Sequence, residues 1–339
     1  MIAAITAGYR AGTARRSLTA RCLSVAALVL GLAIVPSVSG LSAQAAPAAA
    51  RAAGTTGVIV IAHGGDSLWN ALVSNAAHDA KVGGPVEVSF LMGPGAEKAH
   101  FQDAVARLEK QGAARIVVVP MLVSSYSGHY DQIRYLAGQQ VDLDEDMQHH
   151  LHMSGIEKAN TRTPIIVTPA MDNATQVAHV LADRARALAP DPTGRALLIV
   201  GHGPNSAENY AEWMANLRPV ADSVKAIAGF RDVRVELVRD DAPPLVRAEA
   251  VTRVRELIDL QQQMTGKDVI VVPVLVSQGQ VSRDKVPNDI KGTASVYSGL
   301  PLLPHPAMSR WIEQRVSEAA NAPVSNTGQS APSEHVHKK

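Results

Sequence analysis

Short runs of Val, Ile and Leu recur along the chain, separated by longer stretches in which apolar and polar residues follow a helical spacing. In the first half the runs fall near 58–62, 86–91, 115–120 and 164–168, and in the second near 196–200, 233–238, 268–273 and 294–297. They are continuously apolar rather than alternating, as in strands that helices cover on both faces. Strands and amphipathic stretches taking turns predict βαβ units that build a parallel sheet.

The pattern repeats. VIVIAHGG at 58–65 matches LLIVGHGP at 197–204, and IVVVPMLVS matches VIVVPVLVS with Pro120 against Pro273. A third pair, TPAMDNATQVAHVLADRA after Pro164 and LPHPAMSRWIEQRV after Pro301, closes each half. Fixed-order self-similarity of this kind predicts an α/β protein of two similar lobes, 58–190 and 195–320, each a four-stranded parallel sheet flanked by helices. The spacings show where the lobes differ. From His63 to Pro120 is 57 residues against 71 from His202 to Pro273, so the second lobe has longer helices. From Pro120 to Pro169 is 49 residues against 31 from Pro273 to Pro304, which gives the first lobe 18 extra residues that include VDLDEDMQHHLHMSG.

The ends read differently. Arg10, Arg15, Arg16 and Arg21 precede an apolar run over 23–40 and the small-residue pattern Ala43, Gln44, Ala45, the layout of a secretory signal peptide. Residues 1–45 are therefore expected to be removed, leaving an exported protein that starts near Ala46, with 46–57 as linker and no stable membrane span. An uncleaved anchor is the alternative. The polar tail over 321–339 is expected to be disordered. Without its leader the chain has 28 basic residues against 31 acids, a formal charge of −3, and no basic patch that calls for nucleic acid. Aromatic content of 4% argues against stacking platforms for single strands. The one cysteine, Cys22, lies in the leader, so the mature chain has neither thiol chemistry nor a disulfide.

In an open parallel sheet, ligands bind in the crevice outside the carboxyl ends of the strands. His63 follows the first strand directly and precedes Gly64 and Gly65, which let backbone and ligand come close. His129 is expected in the loop after the third strand, past Gly128. Two imidazoles over one crevice suit metal binding and proton transfer near neutral pH. Asp66 reads as a helix N-cap, Asp131 either orients His129 or starts the next helix, and His202 at the second lobe's strand end reads as structural. Ser124 and Ser125 lack a nucleophile-elbow setting. The extra segment carries Asp142, Asp144, Glu145, Asp146, His149, His150 and His152, a metal-capturing set in principle but more simply a solvated polar loop.

VIVIAHGG together with VVVPMLVSSYSGH resembles the class II chelatases of the sirohydrochlorin type, the cobalt- or iron-chelatases of cobalamin and sirohaem biosynthesis, in their two-lobed form. The resemblance covers 58 to about 318 and implies a chelatase-like, flavodoxin-like topology. It implies further that His63 and His129 bind the divalent metal and assist loss of the pyrrole N–H protons, and that Gly64, Gly65, Ser125 and Gly128 line the tetrapyrrole site. The metal is then a substrate, Co2+ first with Fe2+ or Ni2+ as alternatives, inserted without ATP and without an organic cofactor. On the family pattern Val281 stands where the second lobe's second histidine belongs, so the first lobe is expected to be catalytic and the second supporting. Met92 stands where family members often have a glutamate. The alternative is an exported, non-catalytic protein that binds metal or tetrapyrrole on this fold, and a hydrolase using His63 has no nucleophile motif behind it.

Overall fold

A computed structural model describes residues 54–139 and 142–321. The expected leader, most of the linker and the tail from 322, with His335 and His337, lie outside the described residues.

Strands β1 (Thr55–Ala62), β2 (Val86–Phe90), β3 (Ala113–Pro120) and β4 (Ile165–Val167) form one parallel sheet in the order β2-β1-β3-β4. Strands β5 (Ala196–Gly201), β6 (Asp232–Leu237), β7 (Val269–Val274) and β8 (Ser295–Tyr297) repeat it as β6-β5-β7-β8. The central strands are the most apolar because both faces are covered, and residues 58–62 and 196–200 are buried throughout. Such strands gain about 1.5–3 kcal/mol for each Val, Leu or Ile side chain withdrawn from water, which fixes them at the centre of each sheet.

The first lobe contains helices α1 (Ser67–Asp79), α2 (Phe101–Lys110), α3 (Gly128–Leu136), α4 (Glu145–Met153) and α5 (Thr175–Leu188). The second contains α6 (Ala207–Ala228), α7 (Pro244–Thr265), α8 (Val286–Asp289) and α9 (Pro306–Asn321). The closing helices cross over. Helix α5 packs on α6 and β7 of the second lobe, and α9 packs on α1 and β3 of the first. Arg184 on α5 donates to the carbonyl of Pro301 at 3.2 Å, and Arg315 on α9 donates to that of Ala170 at 3.0 Å. A continuous apolar core therefore runs from the first sheet through α5, α6 and α9 to the second, and neither lobe completes its core alone. A smaller cluster, with Val254 and Ile258 of α7, covers the far face of the second sheet.

Two local expectations are corrected. The extra segment is not a solvated loop, because its middle forms α4, capped by Asp144, whose side chain accepts from Asp146 N at 3.0 Å and Met147 N at 3.4 Å. Glu145 and Asp146 lie in its first turn and His150 and His152 in its last, a charge order that suits the helix dipole, while Leu151 anchors it in the core. His129 likewise sits within the first turn of α3, whose N-cap Ser127 accepts from Tyr130 N, rather than in a loop.

Candidate metal and tetrapyrrole site

The chain turns sharply where β1 ends. Met92 N donates to the His63 carbonyl at 2.9 Å, tying the segment after β2 to the end of β1. Gly64 then takes φ +97°, and a Cβ there would lie 2.1 Å from the Met92 carbonyl oxygen, so no side chain fits. This turn leaves the half-buried His63 at the carboxyl edge of the sheet. His129 arrives beside it from the adjacent strand β3 through the start of α3. The ring centroids are 4.6 Å apart at an interplanar angle of 81°, edge to face.

Hydrogen bonds fix which nitrogen each ring offers. His63 Nδ1 lies 2.8 Å from the Gly64 carbonyl, and His129 Nδ1 lies 2.8 Å from Oε1 of Gln132. Both partners only accept, so both rings carry their proton on Nδ1 and keep a lone pair on Nε2. Burial holds both in that neutral form. It lowers the pKa of His63, opposed by the Gly64 carbonyl and helped by the nearby His202, and it lowers that of His129 to about 4, with His63 adding to the effect. The N-terminus of α3 acts in the same sense on His129.

The second lobe repeats the turn with different chemistry. Arg239 N donates to the His202 carbonyl at 2.6 Å, Gly203 takes φ +84°, and His202 Nδ1 bonds the Gly203 carbonyl at 2.8 Å. His202 Nε2, however, meets Asp241 Oδ2 at 3.2 Å. Burial opposes charge on this ring, but the hydrogen bond to Asp241 and the Gly203 carbonyl outweigh it and raise the pKa of His202. Asp241 is lowered in turn, chiefly by its bond to His202. Among the described residues, His202, Asp240 and Asp241 form the one group of three or more ligand-type side chains close enough together to share an ion. Asp240 is already engaged by Lys285 and by Arg247 at 3.4 Å, so this group is a network of ion pairs rather than a set of free donors. Val281 begins a π-helical turn and packs on the smaller core, an apolar contact where the first lobe has its second histidine.

The two strand-end edges face one another. Trp213 on α6 donates to the Tyr126 carbonyl, in the loop before His129, at 2.7 Å. Arg283 pairs with Asp66, three residues past His63, at 3.0 Å, and Ser277 Oγ reaches the Trp69 carbonyl at 3.5 Å. The charges of His202 and Asp241 thereby act on His63 across the gap.

The other sequence candidates have definite places. A Cβ on Gly65 would meet the Trp69 ring at 2.8 Å, and one on Gly128 would meet Met147 Sδ at 2.8 Å, so neighbouring side chains of the protein occupy these spaces. Ser125 is bound by Asp172 through its N–H and its hydroxyl, both at 2.7 Å, and stabilises the loop before His129. Asp66 is the N-cap of α1 and accepts from Trp69 N at 2.8 Å. Asp131 lies in the first turn of α3, 4.0 Å from Arg134, and burial raises its pKa. Of the inserted histidines, His150 acts electrostatically on both His63 and His129, whereas His149 and His152 line a separate hollow with Tyr135 and Lys158. Sequence reasoning missed Gln132 and Asp241. The only signal for Gln132 was its position one helical turn beyond His129, and for Asp241 its position just past the end of a strand.

The CbiX family model matches residues 57–188 and 196–319, most of the chain and both repeats. This chain belongs to the CbiX family. Its fold is that of SirB from Bacillus subtilis, solved with Fe3+, at TM-score 0.56 and 15% identity over 79% of this chain and 96% of that one. Two further structures are similar at lower scores. They are DR2241 from Deinococcus radiodurans (TM-score 0.48, 17% identity, 78% of this chain and 54% of that one) and a CbiX described as the terminal enzyme of sirohaem biosynthesis in denitrifying bacteria (TM-score 0.47, 16% identity, 78% and 99%). No curated protein sequence matches the chain. The CbiX-family fold thus accounts for two parallel four-stranded lobes, and no helix among the described residues is long and apolar enough to cross a membrane.

Proposed function

We propose that the protein inserts a divalent metal ion, Co2+ in the first instance with Fe2+ or Ni2+ as alternatives, into sirohydrochlorin or a related tetrapyrrole without ATP. The observation that carries the proposal is the His63–His129 pair: two neutral rings in edge contact, each with Nδ1–H engaged and Nε2 left as a donor. Two neutral imidazoles hold a divalent ion without cancelling its charge and surrender it to a tetradentate macrocycle. Insertion exchanges one M2+ for two pyrrole protons. As the metal leaves, two imidazole lone pairs become free, so the same nitrogens can accept the two protons that the macrocycle loses. Their lowered basicity then passes those protons to solvent rather than retaining them. The gap between the two facing strand edges is where we place the tetrapyrrole, and the leader motif supports action outside the cytoplasm.

Anaerobic insertion of Co2+ into sirohydrochlorin, followed by absorbance, tests this reading. Catalysis that His63→Ala and His129→Ala both abolish is expected. Metal binding with no rate above the uncatalysed reaction would replace it by the second reading, an exported carrier of metal or tetrapyrrole, which the leader motif favours.

A further inference from the structure

One buried side chain joins the inserted helix α4 to the histidine pair. Gln132 on α3 is fully buried. Its Oε1 lies 2.8 Å from His129 Nδ1, and its Nε2 donates to the Met147 carbonyl of α4 at 2.8 Å. This bridge has one possible orientation. The Met147 carbonyl only accepts, so Nε2 must face it; Oε1 must then face His129, and because Oε1 only accepts, the His129 proton must sit on Nδ1. A backbone carbonyl on α4 thereby determines the tautomer of a histidine on α3.

Packing holds that carbonyl in place. Met147 Sδ occupies the space a side chain at Gly128 would need, so α4 is seated on the residue next to His129. The two lobes supply an internal control. His63 takes its tautomer from the carbonyl of the following glycine, at 2.8 Å, and needs no outside help; His202 Nδ1 meets its own following carbonyl at the same distance, while Asp241 engages its Nε2. His129 depends on a carboxamide, whose two ends could exchange were Met147 absent. The lobe that has the second histidine has the insertion; the lobe with Val281 in that place lacks it.

We propose that α4 is a tautomer clamp, which acts through the Met147 carbonyl and Gln132 to hold His129 in its Nδ1–H form and present Nε2 to a divalent ion, with Gln132 as a positioning residue. The metal part of this proposal rests on the reading of His63 and His129 as the metal pair; the tautomer part does not.

Nitrogen-15 NMR of histidine-labelled protein reads the tautomer directly, and titration with Co2+ alone reads the affinity. The wild-type chain is expected to show His129 protonated on Nδ1. Gln132→Leu removes the acceptor, so His129 should gain the Nε2–H form and Co2+ affinity should fall about 10- to 100-fold. Gln132→Glu still accepts from Nδ1–H, so tautomer and affinity should stay near wild type although α4 loses its donor. Replacing residues 142–155 with a Gly/Ser linker keeps Gln132 but frees it, and should reproduce the Gln132→Leu spectrum. Should Gln132→Leu not fold, the wild-type and linker spectra still decide. A wild-type His129 protonated on Nε2, or a linker variant with unchanged tautomer and affinity, overturns the clamp. A wild-type chain that shows the Nδ1–H form but binds no Co2+ supports the clamp and removes the chelatase reading instead.

Discussion

His63 and His202 stand at the same point of two repeated sheets, each after a central strand, each before a left-handed glycine, each with Nδ1 on the next carbonyl. Their chemistry is opposite. His63 faces a second neutral histidine and is held uncharged by burial, whereas His202 faces Asp241 and has its pKa raised. The backbone device is therefore only a mount, and what it faces decides whether the imidazole is a free donor or half of an ion pair. The second lobe completes the core through α9 and supplies the facing wall, while its own histidine is already engaged.

The largest effect should come from deleting the donors. His63→Ala or His129→Ala should weaken Co2+ binding by about 100-fold or more, as expected when a direct ligand rather than a supporting contact is lost, while His202→Ala leaves it near wild type; absorbance titration with Co2+ checks all three. Restoring a histidine by Val281→His should leave the stoichiometry at one ion, because His202 stays tied to Asp241. A second equivalent of bound Co2+ in that variant would show that the pair with Asp241 does not withhold His202 from a metal ion.

Filling the turns should cost stability rather than affinity. Gly64→Ala combines φ +97° with a contact of 2.1 Å to the backbone oxygen of Met92. It should lose about 3 kcal/mol or more in chemical denaturation. Gly203→Ala, whose nearest obstacle is the Leu237 side chain at 2.8 Å, should lose roughly half as much.

The pH effects of the two histidines are opposite in sign. His129 titrates at about 4 in the folded chain, below its unfolded value near 6.5, so the unfolded chain takes up its proton first. Its contribution makes stability fall as pH drops from about 6.5 to about 4. His202 has a raised pKa, so its contribution is full below about 6.5 and is lost as pH rises through the folded value. Ring-proton titration should resolve the two, and Asp241→Asn should move His202 downward without moving His129. Arg283→Met, which removes the exposed pair with Asp66, should leave the melting temperature unchanged within error.

Much of this was legible in the sequence. Continuous apolar runs located all eight strands of the described residues to within a few residues, because strands covered on both faces cannot hide their composition. The repeat exposed the two lobes, and the position of His63 at the end of β1 was readable from the apolar run before it. The crossing of α5 and α9 was not, since an amphipathic helix shows that it has a partner but not which sheet that partner belongs to. Helix α4 had readable signals in Asp144, two acids and then histidines, which a preference for loop in a polar segment overrode. Gln132 and Asp241 were hidden for a plainer reason: their roles depend on which atom faces them across a gap, and periodicity carries no information about that.

The most direct test is a crystal structure of residues 46–339 grown with Co2+ and measured at the cobalt absorption edge. One anomalous peak is expected about 2.1 Å from both His63 Nε2 and His129 Nε2. A peak between His202 and Asp241 with none at the pair would contradict it.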